Sequence, residues 1–237
     1  MAFTHGISGK VFLQGVDRSA YFSQFSVSRD IDTAEVSNFA SAGNKQYIAG
    51  MRGGSISLEG FFDGTTTGID AALTTLFGSN IYACCMVNTD ALSSRGFACL
   101  ADITSLEVPA EVGSAVALSA ELQATGGVDG VVSIHPMQAE TGSPVNGTGV
   151  NDVAAATTNG ARGHLHVQST DGSIAVKIQH SSDNVTYPDL MTFVAQAAAG
   201  ADIQVVAPAV TINKWVRAQW TRTGGTTATF FVGFSRK

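Results

Sequence analysis

Gly54-Ser-Ile-Ser-Leu-Glu-Gly-Phe-Phe62 is the stretch on which the fold turns. Ile56, Leu58 and Phe62 point one way and Ser55, Ser57 and Glu59 the other, the two-residue period of a strand with one buried and one wetted face. The same alternation runs outward in both directions. Gly9–Gln14 and Phe22–Arg29 precede it, with Phe25 and Val27 on one face; Ile81–Thr89, Phe97–Leu106, Ala115–Gln123 and Val128–His135 follow. Composition agrees. With 26 glycines, abundant Ser, Thr and Val and only 14% charged residues, the chain suits strands and turns rather than long helices, and a hydrophobic fraction of 44% excludes disorder.

One segment changes period. In Gly68-Ile-Asp-Ala-Ala-Leu-Thr-Thr-Leu-Phe-Gly78, Ile69, Ala72, Leu73, Leu76 and Phe77 recur at helical spacing. Asp70 sits in the first turn, where the helix dipole favours an acid, and Gly78 can supply a left-handed stop. In Ala115–Gln123, Val116, Leu118, Ala120 and Leu122 share a face, while the opposite face is small and nearly uncharged, which suits close approach by another surface. Between Asp30 and Gly53 lies a polar, glycine-bearing stretch that reads as a long connection, a kind usually functional or disordered.

Beyond Gln138, the run Ala139–Val150 is rich in Gly, Pro, Ser and Thr and reads as an exposed linker. It divides the chain into residues 1–143 and 144–237. The second segment is expected to be a small β-sandwich, with strands at His164–Thr170, Ile174–His180, Ile203–Val206, Trp215–Thr221 and Thr227–Phe234. Asp171-Gly172 reads as a hairpin turn and Gly224-Gly225 as another.

Catalytic signatures are missing: the sequence holds no GxSxG elbow, HExxH, CxxC pair or GxGxxG fingerprint. His164-x-His166 with His180 is the one arrangement that suggests a metal. The strand period sets His164 and His166 on the polar face and His180 on the apolar one, so surface imidazoles are expected instead. Trp220 falls on the core face; Tyr187 and Trp215 remain as exposed candidates for weak surface or sugar contact. Cys84, Cys85 and Cys99 lie in apolar runs and read as small buried hydrophobes. The start, Met1–Gly6, lacks the basic residues and apolar run of a secretory signal. The expectation is a non-enzymatic protein without cofactor or metal.

Charge is unevenly divided. Residues 1–143 hold 14 Asp and Glu against 6 Lys and Arg, and residues 144–237 hold 5 against 7. Neither part carries the basic stripe of a nucleic-acid binder, and the acidic part disfavours phosphate contact.

Two adjoining stretches, Phe22-Ser-Gln-Phe-Ser-Val-Ser-Arg-Asp-Ile-Asp-Thr-Ala-Glu-Val-Ser-Asn-Phe39 and Lys45-Gln-Tyr-Ile-Ala-Gly-Met-Arg-Gly-Gly-Ser-Ile-Ser-Leu-Glu-Gly-Phe-Phe-Asp63, are followed by the short helix and by strands ending near His135. In this order of elements the chain resembles the major tail (tail tube) protein of long-tailed bacteriophages. The resemblance implies a β-sandwich or barrel with one flanking helix, forming hexameric rings that stack into the hollow tube of a virion tail. It also implies assembly in the host cytoplasm and passage of double-stranded DNA through the lumen. Its implied partners are copies of itself and the tail terminator, tape measure and baseplate proteins, with no membrane insertion. Asp30–Gly53 would then be the inter-ring stacking loop, with Arg29, Asp30, Asp32, Thr33, Glu35, Tyr47 and Arg52 as its contact residues. Residues 144–237 would be a C-terminal β-sandwich decorating the tube exterior. The alternative is a phage or bacterial surface protein that binds carbohydrate.

Overall fold

The computed structural model describes residues 8–237, so Met1–Gly6 and its signal reading lie outside the described residues. The fold is mainly β, with one α-helix among the described residues, as the sequence requires. The strands are β1 (Lys10–Leu13), β2 (Val16–Asp17), β3 (Phe22–Glu35), β4 (Tyr47–Phe61), β5 (Asn80–Met86), β6 (Arg95–Glu107), β7 (Ala117–Glu140), β8 (Val145–Asn146), β9 (Val150–Asn151), β10 (Ala161–Thr170), β11 (Ser173–Ser181), β12 (Asp189–Thr192), β13 (Gly200–Val206), β14 (Trp215–Thr223) and β15 (Ala228–Arg236); the helix is α1 (Ile69–Leu76).

Two compact units result, and they are not divided at residue 143. One holds the described residues up to Ala20 with Tyr82–Ala98 and Asp129–Lys237; the other holds Tyr21–Ile81 and Cys99–Val128. β6 and β7 are long enough to belong to both, so the chain passes between units inside strands. The glycine-rich stretch around residue 143 is no free linker either. β8 and β9 pair with β14, and the Arg222 amide donates to Ser143 Oγ at 2.7 Å.

The larger unit contains a sandwich. β13, β10, β15 and the later part of β7 lie in one sheet; β12, β11, β14, β8 and β9 make the other. Leu165, Val167, Ile174, Val176, Ile178, Val216, Ala218, Trp220, Phe230, Val232 and Phe234 fill the space between. At about 1.5–3 kcal/mol for each fully buried large apolar side chain, this layer dominates the unit's stability. Asp171-Gly172 reverses the chain but is not a hairpin, because β10 and β11 lie in different sheets. Asp171 accepts hydrogen bonds from the Thr226 and Thr227 amides at 2.8 and 2.9 Å, lashing this corner to the Gly224-Gly225 turn, where both glycines have φ +67°. Those amides hold the Asp171 carboxyl down to about 2.

A second apolar cluster, Phe12, Cys84, Met86, Ala98, Val131 and Phe231, lies in the same unit. Phe230 faces the sandwich and Phe231 this second cluster, so the sheet is covered on both sides. This overturns the expected surface position of two histidines. His164 and His166 are each only 1% exposed. The His166 ring lies 5.9 Å from the Phe12 ring, and its Nδ1 accepts from the Gly15 amide at 3.2 Å. Gly15 has φ +94°, and a β-carbon there would overlap the carbonyl oxygens of Val167 and Gly200. His180 is half-buried on the other sheet, where its Nδ1 accepts from the Asn213 amide at 3.2 Å.

In the smaller unit, β4 runs between β3 and the early part of β7. Ile56 faces Leu122 and Leu58 faces Ala120 across the ladder, and all four are buried, together with Ile69 and Leu73 of α1. Phe62, expected on the same face, is 37% exposed because β4 ends at Phe61. β7 is one strand where the sequence suggests two. Gly126 and Gly127, at φ +79° and +83°, carry it through a break in the apolar pattern that other residues would turn into a loop.

Candidate functional site

The stretch Asp30–Gly53 is not a long connection. β3 and β4 continue as a two-stranded arm from the pair Arg29–Gly54 to the pair Glu35–Tyr47, leaving only residues 36–46 as the bend. Ile31, Thr33, Tyr47 and Ile48 suit strands. Both sides of the arm are wetted, however, so no alternation of polarity betrays it. A register shift between Ile31 and Thr33 is its one irregularity.

The tip is built from its own hydrogen bonds. The Val36 amide donates to the Gln46 carbonyl at 2.8 Å and the Gln46 amide to Ser37 Oγ at 3.0 Å. Asn38 and Ser41 cap a short 3-10 turn reciprocally: the Asn38 amide donates to Ser41 Oγ and the Ala40 amide to Asn38 Oδ1, each at 2.9 Å. Lys45 bridges to Glu35 at 3.1 Å. This ordered tip leaves the Phe39 ring wholly in solvent, with Ile31, Val36, Tyr47, Ile48 and Met51 also exposed along the arm. An apolar set of this kind on a projecting hairpin marks an interaction surface.

All seven expected contact residues, Arg29, Asp30, Asp32, Thr33, Glu35, Tyr47 and Arg52, are exposed on the arm's two strands. Sequence reasoning did not single out Phe39, Ile48 and Met51, which the arm leaves exposed; the available signal was large apolar side chains scattered through an otherwise polar stretch. Among the described residues β3 pairs only with β4, so its other flank, 14 residues long, is unpaired. That flank contains neither Lys nor Pro, and its charges, Arg29, Asp30, Asp32 and Glu35, lie only in its outer half.

Opposite the buried face, the same ladder presents a polar one. Gln24 faces Glu59, Ser26 faces Ser57 and Ser28 faces Ser55 across β3 and β4; Ser57 faces Glu121 and Ser55 faces Gln123 across β4 and β7. Ser57 Oγ donates to the Glu121 carboxylate at 2.5 Å, and Gln123 donates to the Gly54 carbonyl at 3.0 Å. β6 adds Asp102 and Thr104 at its less buried alternate positions. The face carries hydroxyls, amides and carboxylates and no Lys or Arg. The unit has ten Asp and Glu and only three cations, Arg29, Lys45 and Arg52, all of them on the arm.

In the larger unit, Tyr187 and Trp215 are both half-buried. The Arg217 guanidinium covers one face of the Tyr187 ring at 3.9 Å. Arg217 Nε donates to Gln179 at 2.9 Å, Gln179 donates to Asp189 at 2.7 Å, and Lys177 bridges to the same carboxylate at 2.7 Å. The polar groups around Tyr187 thus satisfy one another. Among the described residues no group of three or more His, Cys, Asp and Glu could hold a metal ion, and no helix is long and apolar enough to cross a membrane.

No family model matches the sequence, and no curated protein matches it. Among solved structures, the chain is similar to a protein from the virion of a native gene transfer agent particle, at 16% identity and a TM-score of 0.40, over 50% of this chain and 92% of that one. It is similar to the SPP1 tail tube protein at 17% identity and a TM-score of 0.40, over 53% of this chain and 77% of that one. It is similar also to the SPP1 Dit protein, a hub of the adsorption apparatus in phages infecting Gram-positive bacteria, at 12% identity and a TM-score of 0.37, over 96% of this chain and 99% of that one.

Proposed function

We propose that the chain is a structural subunit of a virion tail that assembles with copies of itself into stacked rings around a channel for double-stranded DNA. The observation that carries this reading is the β3–β4 arm: an ordered hairpin with an unpaired flank and an exposed apolar tip. Unpaired backbone groups on such a flank are satisfied by a strand from another copy. A head-to-tail contact repeated between copies closes into a ring when its rotation divides the circle. The family resemblance in the sequence implies six subunits per ring.

The base-free polar face suits the lumen. Carboxylates and hydroxyls repel or ignore phosphate, so DNA slides past without the counterion release that grips it on a basic wall. The unit that carries the arm, Tyr21–Ile81 with Cys99–Val128, takes the ring-forming role, with Arg29, Asp30, Asp32, Thr33, Glu35, Tyr47 and Arg52 on the stacking arm; the sandwich of the other unit takes the exterior role. Tail terminator, tape measure and baseplate proteins meet the tube at its ends and in its bore. The protein acts in the phage tail after assembly in the host cytoplasm. Electron microscopy of the concentrated pure protein tests the reading: hollow tubes or rings are expected, and a dispersed monomer that shifts only with added glycans would replace it with the carbohydrate-binding alternative.

A further inference from the structure

We infer that Asn159 is a site of spontaneous backbone modification, deamidating to isoaspartate in the folded protein, while Asn146, the other asparagine that precedes a glycine, is held out of the reaction.

The chemistry belongs to the dipeptide. With no β-carbon on the following residue, the glycine amide nitrogen can approach the asparagine Cγ. That nitrogen gives its proton to a base in the solvent and bonds to Cγ. The Cγ–Nδ2 bond breaks, the amide takes up a proton and ammonia leaves, closing a succinimide ring. Water then opens the ring at either carbonyl. Opening at the former main-chain carbonyl leaves isoaspartate, in which the chain runs through Cβ and Cγ; opening at the other leaves aspartate. Nothing is oxidised or reduced, and water is the one co-reactant.

The fold separates the two Asn-Gly pairs of the sequence, Asn146-Gly147 and Asn159-Gly160. Asn146 lies in β8 opposite Gln219 of β14, and the Gly147 amide donates to the Ala218 carbonyl at 2.8 Å. Its nitrogen cannot turn toward Cγ without breaking that ladder. Asn159 instead is exposed on a bend just before β10. Among the described residues, neither its carboxamide nor the Gly160 amide makes a hydrogen bond. Gly160 has φ +87°, and a β-carbon there would lie 2.7 Å from the Val206 carbonyl oxygen. The backbone thus requires the very glycine that makes Asn159 labile.

The consequence falls on the end of β15. Thr157 Oγ1 accepts from Arg236 and the Gly160 carbonyl accepts from the Lys237 amide, each at 3.0 Å; between them the Thr158 carbonyl accepts from the Ala209 amide at 2.7 Å. Isoaspartate lengthens the main chain by one carbon between Thr158 and Gly160, so the anchors on its two sides fall out of register and the end of β15 loosens.

Peptide mapping of full-length protein aged at mildly alkaline pH tests this. The peptide holding Asn159 should gain about 1 Da, with fragmentation showing isoaspartate, at least roughly tenfold faster than the peptide holding Asn146. In chemically denatured chains the two rates should converge. Conversion of Asn146 as fast as Asn159 in the folded protein would overturn the inference, as would an Asn159 no faster than Asn184, which precedes a valine. Asn159→Gln keeps a carboxamide and forms the cyclic imide far more slowly. Its melting temperature should hold on ageing while that of the native protein falls with the fraction converted; equal falls in both would remove the loosening from this residue.

Discussion

His166 shows how a single side chain can make the stability of the larger unit depend on pH. Its imidazole packs beside the Phe12 and Phe231 rings and is driven to about 3 by burial, with the neighbouring His164 adding to the effect. Unfolded, a histidine takes up its proton near pH 6.5; folded, this one does so only near pH 3. Its contribution is therefore present above pH 6.5 and is lost as pH falls from there toward 3. By pH 4.5 the loss from His166 alone is roughly 2–3 kcal/mol, so the thermal midpoint should drop on acidification, and His166→Gln should flatten that slope. Asp129 acts in the same direction. Burial opposes its charge, but the His164 imidazole, 3.6 Å away, and the Lys237 ammonium outweigh this and hold its carboxyl below the usual range. Arg162 also donates to it, at 3.2 Å. Asp129→Ala leaves these cations without their shared buried acid and should cost about 3 kcal/mol or more by chemical denaturation. None of this is legible in the sequence. The two-residue period assigns His164 and His166 to a common face but cannot say that a second apolar cluster covers it.

Among the elements, the arm is separable from the fold that carries it. Its tip closes on its own hydrogen bonds, so deleting residues 34–48 should leave circular dichroism and the cooperative melt nearly unchanged while abolishing tube growth; intact tubes from that deletion would count against a stacking role. Phe39→Ser is the milder version: a side chain wholly in solvent should cost less than about 0.5 kcal/mol of subunit stability, while assembly, followed by light scattering, slows markedly. The helix and β4 from Gly54 onward were readable because each buries one side and so writes its period into the chain. The arm was not, since strands wetted on both sides need no such pattern. Asp171-Gly172 announced a reversal correctly, but turn chemistry fixes a change of direction and not which strand becomes the neighbour.

For the whole molecule, the proposed tube would be a conduit or a trap according to the sign of the wall that faces DNA. Tubes carrying Glu59→Lys should retain duplex DNA at low salt and release it as salt rises, in a co-sedimentation assay where the native tubes retain none. Retention by the native tubes would show that another face lines the bore. The division into units escaped the sequence for a related reason of scale. A glycine-rich stretch near residue 143 looks like a boundary, but β6 and β7 are each shared between units, and strand continuity leaves no compositional mark.

The bare flank of β3 also sets a clock on newly made chains. Until a neighbour arrives, fourteen residues of open backbone invite any stray strand, and such encounters grow more frequent with crowding. Shelf life of the isolated subunit should accordingly shorten steeply with concentration, and a lysine set into that flank should lengthen it at the expense of ring closure.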